Sequence, residues 1–173
     1  MTQSAELQRV TAQSSLRRLL RPTSVAIVGA SPSPGSLGGG VLANLRRSGF
    51  SGAIYPVNPK YDEIEGLACS ASVEDLPDGV DCVVLAVGRA HVPAAVRACA
   101  QRNVGGVIVL ASGFAEEGEE GRAMQAEIVA TAEQAGMALQ GPNCLGTTNY
   151  VDCVAMMFGA APPDPDRSGS ENT

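Results

Sequence analysis

Short, almost continuously apolar segments alternate with helical patterns along this chain. Five segments are predicted to be strands: Ser24–Gly29, Ala53–Val57, Asp81–Val87, Val104–Leu110 and Met137–Gln140. Apolar runs of this length are typical of strands that are buried on both faces of a parallel sheet. Helical spacing of apolar residues follows over 38–49, 91–103 and 118–136, with a short helix near 73–76. The alternation predicts an open, doubly wound, mainly parallel sheet with Val25–Val28 as its central strand.

The length of 173 residues fits about one domain. Residues 1–21 show a loose helical pattern that stops before Pro22, and we expect an N-terminal helical segment there. Residues 22–160 are predicted to form a single Rossmann-like α/β domain. Residues 161–173 are rich in Pro, Ser, Gly and Asp and are predicted to be a disordered tail.

Charge and hydropathy exclude two classes of partner. Twelve basic residues against 18 acidic ones give a net charge of −6, so no overall basic character favours nucleic acid. No apolar run reaches the roughly 18–20 residues of a membrane span. Because the N-terminus lacks the apolar stretch of a secretory signal, the sequence predicts a cytoplasmic protein.

The cysteines and the histidine give no sign of a metal or catalytic centre. Five widely spaced cysteines without a CxxC pair indicate reduced, mostly buried small side chains. His91, the single histidine, is predicted to lie at a helix start on the surface. We therefore expect no metal site and no catalytic residue in this chain.

Ligands of a doubly wound sheet bind outside the carboxyl ends of its strands, so the loops after the strands are the candidate site. The first loop, GASPSPGS, is glycine-rich and opens a helix whose N–H groups are suited to a phosphate. It is not a GxGxxG motif, since its positions are Gly29, Ser31, Gly35 and Gly38. The alternative interpretation is a plain strand-to-helix turn.

The second strand discriminates between ligands. A dinucleotide site needs an acidic residue near its tip to bind the ribose hydroxyls, and here the tip reads Pro56-Val57-Asn58-Pro59-Lys60. Lys60 is the only lysine of the chain. A cation on a proline-stiffened turn fits a ligand with more phosphate than NAD, although an exposed surface lysine is the alternative.

The last two loops supply further candidates. Gly113 allows a close backbone approach, and Phe114 is predicted to face an adenine or a pantetheine arm. The acidic stretch 116–120 favours the N-terminus of the next helix. Asn143 is expected to tie neighbouring loops together, and Cys144 has no histidine near it in sequence.

Taken together, these segments resemble a known family. The matching stretches are RPTSVAIVGASPSPGSLG, GFSGAIYPVNPKYDEIEGLACSASVEDLP, VDCVVLAV, GGVIVLASGFAEEGEEG and GPNCLGTTN, in order from about residue 16 to residue 149. They resemble the CoA-binding domain that begins ADP-forming acyl-CoA synthetases, including ADP-forming acetate–CoA ligase. The α-subunit of succinyl-CoA synthetase is a more distant relative.

The resemblance implies coenzyme A as the ligand and assigns the site residues. They are Ser31, Pro32, Gly35 and Ser36 in the phosphate turn, Lys60 on a CoA phosphate, Val87 and Gly88 beside the nucleotide or pantetheine, Ser112, Gly113 and Phe114 opposite, and Asn143 and Cys144 near the thiol end. Family members also carry a phosphohistidine domain and an ATP-grasp module, which would be partner domains or subunits. Since neither is recognisable here, the chain is expected to be a short or split module that is inactive alone. The alternatives are a free-standing CoA-binding or regulatory protein and an NAD(P)-binding Rossmann protein.

Overall fold

The computed structural model describes residues 3–161, and side chains from residue 12 onwards. The tail predicted over 161–173 thus lies almost entirely outside the described residues. The helices are α1 (Gln3–Leu20), α2 (Leu37–Ser48), α3 (Val92–Gln101) and α4 (Glu119–Gln134). The strands are β1 (Ser24–Val28), β2 (Ala53–Val57), β3 (Glu63–Ile64), β4 (Leu67–Ala68), β5 (Cys82–Leu85), β6 (Gly106–Val109), β7 (Ala138–Gln140), β8 (Gly146–Asn149) and β9 (Val154–Met157). Short 3₁₀ turns cover Val73–Asp75, Arg89–His91 and Ala115–Glu117.

The five predicted strands form one parallel sheet in the order β2-β1-β5-β6-β7. The α/β fold class is therefore confirmed, but the predicted central strand is wrong, because β5 and not β1 occupies the middle of the sheet. Apart from Ser24, both strands consist of apolar residues. Such a pattern indicates burial on two faces, but it does not show which strand lies in the middle of the sheet. The order reverses between β1 and β5, which is where a doubly wound sheet opens to a ligand.

Helices cover both faces of the sheet, and alternate strand residues point into two separate cores. On one face Val83 and Val107 pack with Val96 of α3 and Ile128 of α4. On the other face β5 and β6 contribute Cys82, Val84 and Ile108 to the core. Residues of β1, α2 and β9 pack with them, namely Val25, Ile27, Val41, Leu42, Leu45, Val154 and Met156. Burial on both faces explains why these strands carry no polar alternation.

The end of α1 belongs to the domain core. Leu19 is buried among the residues of the α2 face, and the guanidinium of Arg18 donates to Asp81 at 2.9 Å. A Cβ built on Gly106 would lie 2.7 Å from the Cβ of Leu19, so the helix rests directly on the backbone of β6. No helix among residues 3–161 is long and apolar enough to cross a membrane.

Two antiparallel hairpins were not predicted from the sequence. The β3–β4 pair is very short, and β8–β9 pairs Gly146 with Met157 through Asn149 with Val154. The second hairpin packs on α2, where the amide of Asn44 donates to the carbonyls of Met157 and Gly159, both at 2.6 Å. Its first strand, GTTN, shows no apolar alternation that would predict a strand. It is held instead by the hairpin ladder with β9 and by contacts distant in sequence.

Candidate functional site

The loops that follow β1, β2, β5, β6 and β7 lie along one edge of the sheet, here called the rim, because all five strands are parallel. Gly29 lies at the meeting point of three of them. Its N–H donates to Val57 O at 2.9 Å, and its φ of +85° turns the chain out of β1. A Cβ built there would lie 2.5 Å from the carbonyl oxygen of Ala86, so only glycine fits.

The loop after β1, GASPSPGS, is predicted above to be suited to a phosphate and is here called the phosphate loop. It is held by its own serines. Ser31 Oγ accepts from the N–H of Ser33, and the hydroxyl of Ser36 donates to Ser33 O at 2.7 Å. Ser36 is the N-cap of α2 and accepts from Gly39 N at 3.1 Å. The next N–H groups, on Leu37 and Gly38, are the ones that a helix leaves without an intrahelical partner. Unpartnered N–H groups at a helix N-terminus are suited to an anion.

Three consecutive glycines allow α2 to begin directly against the rim. A Cβ built on Gly38 would lie 2.1 Å from Gly29 O, and one on Gly39 would lie 1.9 Å from Ser33 O. A Cβ built on Gly40 would likewise lie 2.4 Å from Phe158 O, at the end of the β8–β9 hairpin. The glycines after Ser36 thus bring the helix terminus within backbone contact of the phosphate loop.

Lys60 extends from a turn that is fixed next to this loop. The side-chain amide of Asn58 donates to Ala30 O at 2.7 Å, and its Oδ1 accepts from Lys60 N at 3.0 Å. Lys60 is exposed, and no carboxylate among the described residues forms an ion pair with it. Its charge is therefore available to an anion at the rim. Asn58 was not predicted as a site residue, although an Asn-Pro pair directly after a strand is a signal for such a turn.

The β5 and β6 loops form the opposite side of the rim. Val87 is partly buried and lies against Gly29, since a Cβ on that glycine would be 3.1 Å from Val87 Cγ1. Gly88 and Ser112 are exposed, whereas Gly113 is buried with a φ of +96°. The sequence-predicted residues of both loops, apart from Phe114, are thus brought to the same rim as the phosphate loop.

Phe114 does not face the rim. Its side chain is 0% exposed and packs in the core on the α3 and α4 face. A ring in that position offers no face to an adenine or a pantetheine arm, so its role in the structure is core packing. The pattern Gly-Phe after a strand does not distinguish the two roles, because both need a large apolar side chain.

The β7 loop contributes through its backbone. Asn143 N donates to Ala111 O at 2.8 Å and joins the β7 loop to the β6 strand end, while the Asn143 side chain is exposed. The tie between loops that was expected of the Asn143 side chain is thus made by its main chain, and between β1 and β2 by Asn58. Cys144 is partly buried, its thiol donates to Val109 O at 3.3 Å, and burial raises its pKa. A raised pKa disfavours a thiolate nucleophile at neutral pH.

The acidic stretch after β6 has two functions. Glu119 and Glu120 lie in the first turn of α4, as predicted. Glu116 instead accepts from Gly113 N at 2.8 Å, and hydrogen bonds from backbone N–H groups, its own and that of Gly113, hold its pKa below the ordinary value. The Glu116 carboxylate therefore braces the β6 loop.

The Glu116→Gln variant is expected to melt at a lower temperature than the wild type at neutral pH. A lowered folded-state pKa gives stability that is present above the ordinary glutamate value near 4.5 and is lost as pH falls through the lowered pKa. The difference in Tm should therefore shrink in acid, and calorimetric melts from pH 7 to pH 3 measure it. Glu120→Gln, which removes the same charge from another exposed side chain of the stretch and leaves the bond between Glu116 and Gly113 N in place, is the control. A Tm difference that is independent of pH would contradict this assignment.

The histidine and the remaining cysteines of the described residues are not gathered into a second candidate site. His91 is exposed at the start of α3, and no group of three or more His, Cys, Asp and Glu side chains within the described part could hold a metal ion. Cys82 and Cys99 are buried as expected, and Cys69 is partly buried. A cleft of about 660 Å³ lies at the amino ends of β1 and β2, beside Arg21, Phe50 and Asp152. We assign the site to the rim, because only the rim combines the strand ends, the helix terminus and Lys60.

A doubly wound parallel sheet with a serine-capped, glycine-rich helix start at its strand ends is the architecture of nucleotide-binding α/β domains. Residues 23–150 match the family described as CoA binding domain. The chain belongs to this family.

Relatives of known name share most of the domain. A trans-feruloyl-CoA synthase from an unknown prokaryotic organism is 52% identical over 82% of this chain and 20% of its own length. ADP-forming acetate–CoA ligase I of Archaeoglobus fulgidus is 41% identical over 88% of this chain and 22% of its own length. The solved dinucleotide-forming acetyl-coenzyme A synthetase 1 of Ca. Korarchaeum cryptofilum, in complex with phosphate and ADP, matches with a TM-score of 0.78 and 38% identity, over 83% of this chain and 31% of that one. The chain thus spans about a fifth of the length of these curated relatives.

Proposed function

We propose that this chain is the CoA-binding part of an ADP-forming acyl-CoA synthetase and that it holds CoA on the rim. The single observation that carries this placement is the convergence of the α2 N-terminus and Lys60 on one loop. The N–H groups of Leu37 and Gly38 are one anion-binding device. The ammonium group of Lys60, which forms no ion pair with a carboxylate of the described residues, is an independent second one. We place the nucleotide phosphates between them.

The remaining rim residues then follow the length of the ligand. Ser31, Pro32, Gly35 and Ser36 surround the phosphates, and Val87, Gly88, Ser112 and Gly113 border the nucleotide or pantetheine. Asn143 and Cys144 take the thiol end in this proposal, which rests on the family resemblance of their turn. The division into a helical segment 1–21, a CoA-binding domain 22–160 and a tail is part of the same proposal, as is a cytoplasmic location.

In the complete enzyme we propose the overall reaction of the relatives: an acid, CoA and ATP give acyl-CoA, ADP and phosphate. The described residues include one histidine, the exposed His91. The sequence around His91 does not match the family's phosphohistidine motif. We therefore expect no turnover by this chain alone and assign the phosphoryl steps to partner domains or subunits.

Titration calorimetry with CoA, dephospho-CoA and NAD tests the ligand assignment. CoA is expected to bind more tightly than NAD, because the tip of β2 offers a lysine and no acid for the ribose hydroxyls. A preference for CoA over dephospho-CoA that disappears in Lys60→Ala would place Lys60 at the 3′-phosphate, and one that persists in the variant would place it at the pyrophosphate. Tighter binding of NAD than of CoA would refute the proposed function.

A further inference from the structure

Arg89 connects the two loops on the far side of the rim. It follows β5, and its Nη1 donates to Gly113 O in the β6 loop at 2.7 Å and to the Glu117 carboxylate at 3.2 Å. The aliphatic part of the side chain lies over the same loop, since a Cβ built on Gly113 would be 2.7 Å from Arg89 Cδ. One arginine therefore fixes the position of the loop by hydrogen bonding and by packing.

The segment that Arg89 holds is one that needs support. Gly113 has a φ of +96°, and a residue without a side chain has more backbone freedom to lose than any other. Its N–H is bound by Glu116 and its carbonyl by Arg89, so both polar groups of this peptide segment are fixed by side chains. The exposed Ser112, next to it, is presented to the rim by this double brace.

We propose that Arg89 is a positioning residue for CoA, holding the Ser112–Gly113 backbone in the conformation that accepts the ligand. The inference rests on the proposed function and adds a residue that the sequence did not single out. Preorganisation lowers the entropy that binding must remove. An arginine is suited to this task because its planar guanidinium has five donors in a fixed geometry, which two acceptors of one loop can share.

The experiment compares Arg89→Ala with two controls. Arg97→Ala removes a similar surface ion pair, to Glu127, from the middle of α3. Glu117→Gln removes the carboxylate partner of Arg89 and leaves the bond to Gly113 O in place. For each protein we would measure CoA affinity by calorimetry at low and high salt, and the amide hydrogen exchange of Gly113 without ligand.

Arg89→Ala is expected to weaken CoA binding by about tenfold, the cost of ordering about one backbone residue at the moment of binding. The loss should be equal at both salt concentrations, because Arg89 acts through the loop and not on a ligand charge. Gly113 exchange should become faster. Both controls should stay within about twofold of the wild type, and Arg89→Lys should recover part of the affinity.

Two results would overturn the inference. Unchanged CoA affinity in Arg89→Ala would show that the brace does not serve binding, whatever the exchange rate does. A loss that shrinks with salt while Gly113 exchange stays unchanged would show that Arg89 contacts the ligand directly. If the wild-type chain itself does not bind CoA, it is the proposed function that fails.

Discussion

In the Lys60→Ala variant, CoA affinity is expected to fall by roughly 10- to 100-fold, since one hydrogen bond to a charged group is worth about 1.5–3 kcal/mol. Lys60 is exposed on a turn that Asn58 fixes, so the substitution removes a charge without opening a cavity. The loss should shrink as salt rises, because part of the attraction is screened. Titration calorimetry at two salt concentrations measures both effects.

Two control variants test whether CoA binding needs a cation and whether that cation must lie at position 60. Lys60→Arg keeps a cation on the turn and should retain most of the affinity, while Arg97→Ala removes a cation from the middle of α3 and should change little. Lys60 is also the only lysine of the chain. An amine-reactive reagent therefore labels this side chain and otherwise only an α-amino group, and peptide mapping separates the two. CoA should slow the labelling of Lys60. Unchanged CoA affinity in Lys60→Ala would refute the phosphate placement.

The second large effect is expected from Phe114→Ala, which should lower the free energy of unfolding by roughly 3–5 kcal/mol. The ring is fully buried in the core between the sheet and helices α3 and α4, and an alanine would leave a cavity there. Chemical denaturation with two-state analysis measures this change. Total stabilities of about 5–15 kcal/mol are usual, so the variant is expected to fold but with a much smaller margin.

Phe114→Leu distinguishes core packing from ligand contact. A leucine keeps most of the buried apolar volume, so stability should fall much less than in the alanine variant, and CoA affinity should remain within about twofold of the wild type. A ring that stacked on the ligand would give the opposite pattern: small changes in stability and a large loss of CoA affinity. That pattern would return Phe114 to the binding site.

The predicted strands and helices were found at their expected places, with ends that differ by a few residues. Gly49 illustrates why ends are hard to place: the sequence counts it in α2, whereas its φ of 80° makes it the left-handed C-cap after Ser48. The β8–β9 hairpin was missed, because its first strand carries no apolar pattern and its second strand is stabilised by packing on α2. Hydrophobic periodicity reports burial along one element, and it does not identify the element that causes the burial.

The candidate site also contains features that the sequence predicts and features that only the structure assigns. The glycine-rich loop that opens α2 and Lys60 were found from sequence, because a glycine-rich loop after a strand and a lone cation on a proline turn are local signals. Ser36 was assigned through the family resemblance. Phe114 and Arg89 could not be assigned in this way. Whether a phenylalanine points to the core or to the rim depends on α3 and α4, and the acceptor of Arg89 is 24 residues further along the chain.

The sequence by itself determined that this chain forms a doubly wound parallel sheet with a glycine-rich loop that opens a helix and a lysine on the neighbouring turn. Each of these features follows from apolar runs, capping residues and backbone freedom within a few consecutive residues. Only the tertiary structure decided that β5 is the central strand, that Phe114 is a core residue and that Arg89 and Glu116 brace the β6 loop. These outcomes depend on hydrogen bonds and packing between segments that meet only in the folded domain, where helices cover both faces of the sheet.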